Sequence, residues 1–258
     1  MDWSKGALFL WSTSMNILVT AGNTYVPIDQ VRGITNIFTG RTGSQIATHA
    51  YQFGHHVTLL TSHPELVERV ADTRWTVQTY RTFDDLQQLI ERSLVNGGFD
   101  ALIHCAAVSD FQPAGVYAPA PHTHFVTTDC HWESRGPRPP ALVDRSAAKV
   151  KSSAPELWLR LVRTPKLVDR VRSDWRFAGV LVKFKLEAGV SEEELYDVAE
   201  RSRVQSNADL MVANTLEGAQ TWAFLGPVDG HYDHVSRADL PARLLAAVER
   251  VHKERTHG

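Results

Sequence analysis

The sequence predicts an α/β fold: a doubly wound, mostly parallel Rossmann-like sheet with helices on both faces and a long flap insertion. Three observations carry this. Short apolar runs alternate with amphipathic stretches, the first run ends in a small-residue turn, and a glycine loop then opens the first helix. Strand, helix, strand, helix, strand in that order describes parallel strands joined by right-handed crossovers.

The first strand is Ile17-Leu18-Val19, and it runs straight into Ala21-Gly22-Asn23-Thr24, as a buried parallel strand runs into a ligand-binding turn. Pro27-Ile28-Asp29 and Arg32 follow, then the small-residue loop Thr35 to Gly43. Glycines there let backbone approach an anion, and the free N–H groups of a helix start favour negative charge. Ser44 to Phe53 has helical spacing, with Ile46, Ala47, Ala50 and Phe53 on one side, and Gly54 ends it. His56 to Thr61 is the second strand. Phe83 to Val95 is a helix closed by Asn96-Gly97-Gly98, and Ala101 to Val108 is a buried strand ending in small residues.

Residues 115–141 break this rhythm. They hold five of the twelve prolines and three histidines, with no clean period, and are read as an insert in the domain, either a functional flap or partly disordered. Order returns with an alternating strand at Leu157 to Val162. Thr164-Pro165 then caps a helix running to about Arg172. A buried strand spans Phe177 to Phe184, and Ser191-Glu192-Glu193-Glu194 opens a helix with acidic residues at its positive end. Asp209 to Asn214 is a further strand, Ala223–Leu225 and Tyr232–Val235 form a short hairpin, and an amphipathic helix runs from Leu240 to about Val251.

With 258 residues, 43% of them apolar, the chain can bury a core without staples. It reads as one domain over 15–258 behind a flexible extension at 1–14. A net charge of −2 with scattered basic residues excludes a nucleic-acid surface as the leading reading. No apolar stretch is long enough to span a bilayer. Two cysteines, Cys105 and Cys130, are too few for a disulfide framework and point to a reducing, cytoplasmic setting. His122, His124, Cys130 and His131 have the chemistry of zinc ligands, but their spacing fits no closed pattern, so no metal site is assigned.

Taken in order, six motifs resemble those of the phosphopantothenate–cysteine ligase family of coenzyme A biosynthesis. They are Val19 to Thr24, Pro27 to Arg32, Ile34 to Gly43, Ala106 to Phe111, Lys149-Val150-Lys151, and Ala208 to Asn214. The resemblance implies a single nucleotide-binding ligase domain that activates the carboxylate of 4′-phosphopantothenate with CTP or ATP and Mg²⁺. Pyrophosphate leaves, and cysteine attacks the acyl nucleotide. It further implies a homodimer, and a flavin-dependent decarboxylase supplied as a separate polypeptide.

By the same resemblance Asn36 and Lys149 are the catalytic candidates, Asn36 donating to the acyl group and Lys149 placing a point charge near the triphosphate. Thr39, Gly40, Gly43, Ala107, Asp110, Lys151 and Phe184 are the nucleotide-side candidates. Arg32 and Asn214, with Asn36, are the substrate-side ones. The bland alternatives are a loop Asn bonding its own backbone, turn glycines, an Asx-turn at Asp110, and solvated lysines. Two departures stand out: Ser202 and Ser206 occupy positions where the family carries lysines, and Lys183 and Lys185 flank Phe184 on a strand that is normally apolar. These departures keep open a binding paralogue that does not turn over. A short-chain-type NAD(P) reductase is a weaker competitor, because its glycine pattern and its Tyr-x-x-x-Lys pair are both missing.

Overall fold

The computed structural model describes residues 14–257. Apart from Ser14, the extension expected at 1–14 lies outside the described residues. In chain order the elements are β1 (Asn16–Ala21), β2 (Tyr25–Pro27), β3 (Gly33–Thr35), α1 (Arg41–Gln52), β4 (His56–Thr61), β5 (Trp75–Thr79), α2 (Phe83–Val95), β6 (Ala101–His104), β7 (Phe111–Pro119), β8 (Thr123–Val126), β9 (His131–Ser134), β10 (Leu142–Asp144), β11 (Trp158–Arg163), α3 (Leu167–Ser173), β12 (Val180–Glu187), α4 (Glu192–Gln205), β13 (Leu210–Thr215), β14 (Trp222–Val228), β15 (His231–Ser236) and α5 (Leu240–His257). They fall into two compact units. One holds the chain up to Asn23, Phe38–Ala107 and Lys166–Gly258, the other Thr24–Ile37 and Val108–Pro165.

The first unit is the expected doubly wound sheet, in the order β15-β14-β13-β12-β6-β1-β4-β5. The six strands from β5 to β13 pair in parallel, and the β14–β15 hairpin adds two antiparallel strands at one edge. Central strands are apolar on both faces because both faces are covered: Ile17, Leu18 and Val19 are all fully buried. Ile17, Val19, Ile103, Val182 and Val212 share one core with Ile46, Ala47 and Ala50 of α1 and Leu240, Leu244 and Val248 of α5. The opposite parity of β13, Met211 and Ala213, packs on Leu195 and Ala199 of α4. Each such aliphatic side chain contributes roughly 1.5–3 kcal/mol by leaving water. Helix ends follow local chemistry, with reciprocal capping boxes at Thr82/Asp85 and Ser191/Glu194.

Several boundaries differ from the expectation. α1 begins at Arg41, three residues early, because Ser44 N already donates to Gly40 O. Thr164 does not cap α3: its hydroxyl donates to Ser109 O (2.6 Å), and α3 starts only at Leu167 after Lys166. The strand expected from Phe177 begins at Val180. Arg176 is left-handed (φ 50°) and Phe177 N closes the end of α3 on Val171 O. β6 stops at His104, and α5 extends to His257.

The second unit takes in residues 115–141 and orders them as strands. β7 pairs antiparallel with β10 and β11, β2 with β3, and β8 with β9. Its strands are mostly half-exposed, and Phe125, Trp132 and Trp158 pack ring to ring with centroids 4.6–5.1 Å apart.

Candidate active site

In the sheet unit, strand order reverses between β1 and β6, where open α/β sheets hold ligands beyond their carboxyl ends. The two chains stay side by side past the strand ends. Cys105 N donates to Thr20 O (3.1 Å), Ala106 N to Thr20 Oγ1 (3.2 Å) and Ala107 N to Gly22 O (2.8 Å), and Asn23 and Ala107 form a parallel bridge. The first turn of α1 lies on this turn. Gly40 is left-handed (φ 86°) and a Cβ there would sit 2.0 Å from Gly22 N, while one on Gly43 would sit 2.7 Å from Ala21 Cβ. Both glycines are therefore required by close backbone packing.

α1 has neither a side-chain cap nor an acidic residue in its first turn, so no carboxylate of that turn offsets its positive end. Half-buried Arg237, from the β15–α5 turn, donates to Thr42 Oγ1 at this end. Cys105 lies here too. Burial pushes its thiol up to about 12, against the opposing pull of Arg237 and the Gly43 N–H. The thiol is therefore protonated at neutral pH. Exposed Thr39 precedes the helix.

Thr20, His104 and Lys183 form a row across β1, β6 and β12. Thr20 Oγ1 and His104 Nδ1 are 2.9 Å apart, and burial with the nearby Lys183 charge lowers the imidazole to about 4, so it is neutral. Lys183 Nζ donates to Ser202 O (2.9 Å) and Ser206 Oγ (2.5 Å) and lies 4.0 Å from Asp169 Oδ1. Ser206 Oγ in turn donates to Asp169 Oδ1 (2.5 Å). Lys185 pairs with Glu187 at 2.7 Å, and Arg203 with Glu200 at 2.6 Å. Lys183, Lys185 and Arg203 are thus engaged within the chain. Phe184 packs against the α1/α5 core from the other face of β12, and half-buried Asn214 has the same parity on β13.

In the second unit, Pro27 to Arg32 is a tight turn built around Asp29, whose side chain is fully buried. Its Oδ1 accepts from Val31 N (2.8 Å) and Arg32 N (2.7 Å). Its Oδ2 accepts from Arg32 Nη2 (2.7 Å), Arg32 Nε (3.2 Å) and Val150 N (3.0 Å). The Arg32 guanidinium first, then the Val150 and Val31 N–H groups, hold this carboxyl far below the usual carboxylate range. Arg32 Nη2 also donates to Val150 O (2.7 Å). The turn thereby holds the irregular segment where exposed Lys149 and Lys151 flank buried Val150. Asn36 is half-buried, next to Thr35, whose hydroxyl donates to Thr24 O (3.2 Å). Asp110 presents an exposed side chain, while its carbonyl accepts from Thr164 N (2.9 Å).

Seven of the eleven candidates therefore gather in two groups: Thr39, Gly40, Gly43 and Ala107 around the switch-point turn, and Arg32, Lys149 and Lys151 around Asp29; Asn36, Asp110, Phe184 and Asn214 are in neither. Sequence reasoning passed over Asp29, Arg237 and the Thr20–His104 pair. Asp29 had a signal, an Asp followed two and three residues on by the N–H groups of an Asx-type turn; Arg237 had none. On the β8–β9 hairpin, His124 and His131 lie 3.3 and 3.0 Å from Glu133, while Cys130 Sγ donates to Thr127 O. Among the described residues no three His, Cys, Asp or Glu side chains are arranged to hold a metal ion. No described helix is long and apolar enough to cross a membrane.

Comparison with known proteins agrees with this fold. Residues 12–119 match the family profile of the DNA/pantothenate metabolism flavoprotein C-terminal domain. The bifunctional coenzyme A biosynthesis protein CoaBC of Thermococcus kodakarensis is 33% identical over 204 residues, 78% of this chain and 41% of that protein. CoaBC of Escherichia coli is 28% identical over 210 residues, 78% and 41% respectively. The chain spans about two fifths of the length of these relatives. A crystal structure of the DNA/pantothenate metabolism flavoprotein from Streptococcus pneumoniae superposes with TM-score 0.73 at 25% identity, covering 93% of this chain and 100% of that one. At 15% identity the fold is shared with a Cab2 variant in complex with phosphopantothenate-cysteine, TM-score 0.66, covering 95% of this chain and 89% of the other. Motif order, sequence identity and fold converge: the chain is similar to the CoaBC proteins and shares the fold of the DNA/pantothenate metabolism flavoprotein.

Proposed function

We propose that this chain joins 4′-phosphopantothenate to cysteine at the expense of CTP or ATP. The observation that carries the reading is the six motifs in family order over residues 15–216, and the glycine-lined end of α1 is the kind of backbone that receives phosphate oxygens. The carboxylate of phosphopantothenate attacks the α-phosphorus, forming the acyl nucleotide and expelling pyrophosphate. The cysteine amine then attacks the acyl carbon, the nucleoside monophosphate departs, and the amine loses a proton.

Asn36 donates its amide to the acyl oxygen as charge develops there. Lys149 and Lys151 neutralise the triphosphate, and Thr39, Gly40, Gly43 and Ala107 offer backbone and hydroxyl contacts on the nucleotide side. Phe184 and Asn214 border the nucleotide and substrate respectively, and Arg32 faces the substrate with what Asp29 leaves of its guanidinium. The donor set suits Mg²⁺ carried in on the polyphosphate, since exposed Asp110 is a single carboxylate and no protein cage is needed. The ion would neutralise phosphate charge there, with Asp110 holding it directly or through water. The reading includes one ligase domain over 15–258, a homodimer, a flavin-dependent decarboxylase as partner activity, and a cytoplasmic setting that suits two free thiols.

The test is pyrophosphate release with Mg²⁺, phosphopantothenate and cysteine, comparing CTP with ATP, with the cysteine adduct followed by mass spectrometry. Release that depends on phosphopantothenate supports the ligase and identifies its nucleotide; none with either nucleotide removes it. Asn36→Asp should lower turnover by about 10²-fold, the usual cost of an oxyanion donor. One observation favours a second reading, binding without turnover: Lys183, beside Ser202 and Ser206, has its ammonium engaged within the fold. Nucleotide binding without pyrophosphate release would select it.

A further inference from the structure

Val150 is the buried point of an otherwise exposed loop. Residues 145–149 and 151–153 are exposed, while Val150 is 3% exposed. Both sides of its peptide are held by one ion pair: Val150 N donates to Asp29 Oδ2 at 3.0 Å, and Arg32 Nη2 donates to Val150 O at 2.7 Å. A third bond, Gln30 N to Ala148 O (3.0 Å), fixes the same segment from the same turn. Asp29 accepts five hydrogen bonds with its side chain fully buried, far more than closing a five-residue turn requires. Turn closure uses Oδ1; Oδ2 faces Arg32 and the lysine segment. The carboxylate therefore orients the guanidinium, and the pair dictates where the backbone between two lysines runs.

We propose that Asp29 is a positioning residue of the reaction, acting through Arg32 to hold the Lys149–Val150–Lys151 backbone so that both ammonium groups meet the polyphosphate. This rests on the ligase reading for its consequence, and on the geometry of the Asp29–Arg32–Val150 contact for its cause. A lysine on a free loop distributes its charge over many conformations, and holding the backbone removes that entropy before the anion arrives. With its side chain fully buried, Asp29 acts only through Arg32 and the lysine segment.

The experiment is a double-mutant cycle on the purified full chain. Asp29→Asn keeps shape but loses the charge facing Arg32 and sets an N–H donor against Val150 N. It should lower kcat/KM for the nucleotide about tenfold and leave the KM for cysteine unchanged. Lys149→Ala should cost about tenfold in the wild-type background and less than about threefold on top of Asp29→Asn. Full additivity, or wild-type kinetics for Asp29→Asn, overturns the proposal. Amide hydrogen exchange separates this from failure of the ligase reading. Asp29→Asn should speed exchange at residues 148–151 while β7 and β11 stay as protected as in wild type. Unchanged exchange at 148–151 refutes the positioning role, whether or not the wild-type protein releases pyrophosphate. Loss of protection throughout the second unit would refute it too, by making Asp29 a general folding residue.

Discussion

Lys183 carries a buried ammonium in the middle of a parallel strand, and its neighbours explain how that is tolerated. Ser202 O and Ser206 Oγ accept from it and Asp169 lies 4.0 Å away, so it ties β12 to α3 and α4. Desolvation lowers it to about 8, with Asp169 opposing. A cation so engaged is a poor phosphate ligand. Lys183→Met should leave the nucleotide KM within about twofold of wild type while lowering stability by about 1–3 kcal/mol, because buried Ser206 Oγ loses its donor and Ser202 O loses one of its donors. A large rise in KM would make Lys183 the phosphate cation instead. His104, beside it, gives a pH signature. Its folded value, about 4, lies below the ordinary imidazole value of 6.5. The unfolded chain therefore binds a proton that the folded one refuses. Stability is fully present above pH 6.5 and declines as pH falls towards 4, by on the order of 3 kcal/mol. Urea midpoints at pH 7.5 and 5 should show the decline, and His104→Gln should flatten it. An unchanged slope would mean that His104 is protonated in the folded state.

At the scale of elements, α1 shows how a glycine is fixed by what it approaches. Gly40 and Gly54 are both left-handed, at φ 86° and 96°, but a Cβ on Gly40 meets the Gly22 backbone at 2.0 Å and one on Gly54 meets nothing within 4 Å. Gly54→Ala should cost about 1–2 kcal/mol, the left-handed penalty alone. Gly40→Ala should cost roughly 3 kcal/mol or more, since α1 must lift from β1. Equal losses in denaturant unfolding would contradict the close approach. The same contrast explains what could be read in advance. α2 was legible to the residue because Thr82 and Asp85 cap it locally and Leu86, Ile90 and Leu94 repeat on one face. β1, β4, β6 and β13 were legible as apolar runs. β7 to β10 were not, since a half-exposed antiparallel strand such as Phe111–Pro119 tolerates Gln, Pro and Gly between its few buried positions. The glycine loop was visible in the sequence, but that Gly40 faces Gly22, and that Arg237 reaches Thr42 from 195 residues away, depends on tertiary placement.

For the whole molecule, burial is unevenly shared between the two units, and local stability should follow it. The sheet unit buries nearly all of β1, β6 and β13 and the first half of β12. In the other unit the fully buried apolar side chains are Val26, Val116, Ala118 and Val150, while Phe111, Leu142, Leu157 and Leu161 are exposed. Opening free energies track buried apolar contacts, and segments that receive ligands are drawn from the less stable end. Native-state hydrogen exchange should therefore find β7 and β11 opening at least about 2 kcal/mol more readily than β1 and β6. If Lys149, Asp110 and Asn36 hold the ligands as proposed, adding nucleotide and phosphopantothenate should narrow the gap, because such a ligand stabilises only the closed form of their unit. Equal protection without ligands would show that the exposed strands derive their stability from something other than their own core. A gap that ligands leave untouched would remove those three residues from the binding site.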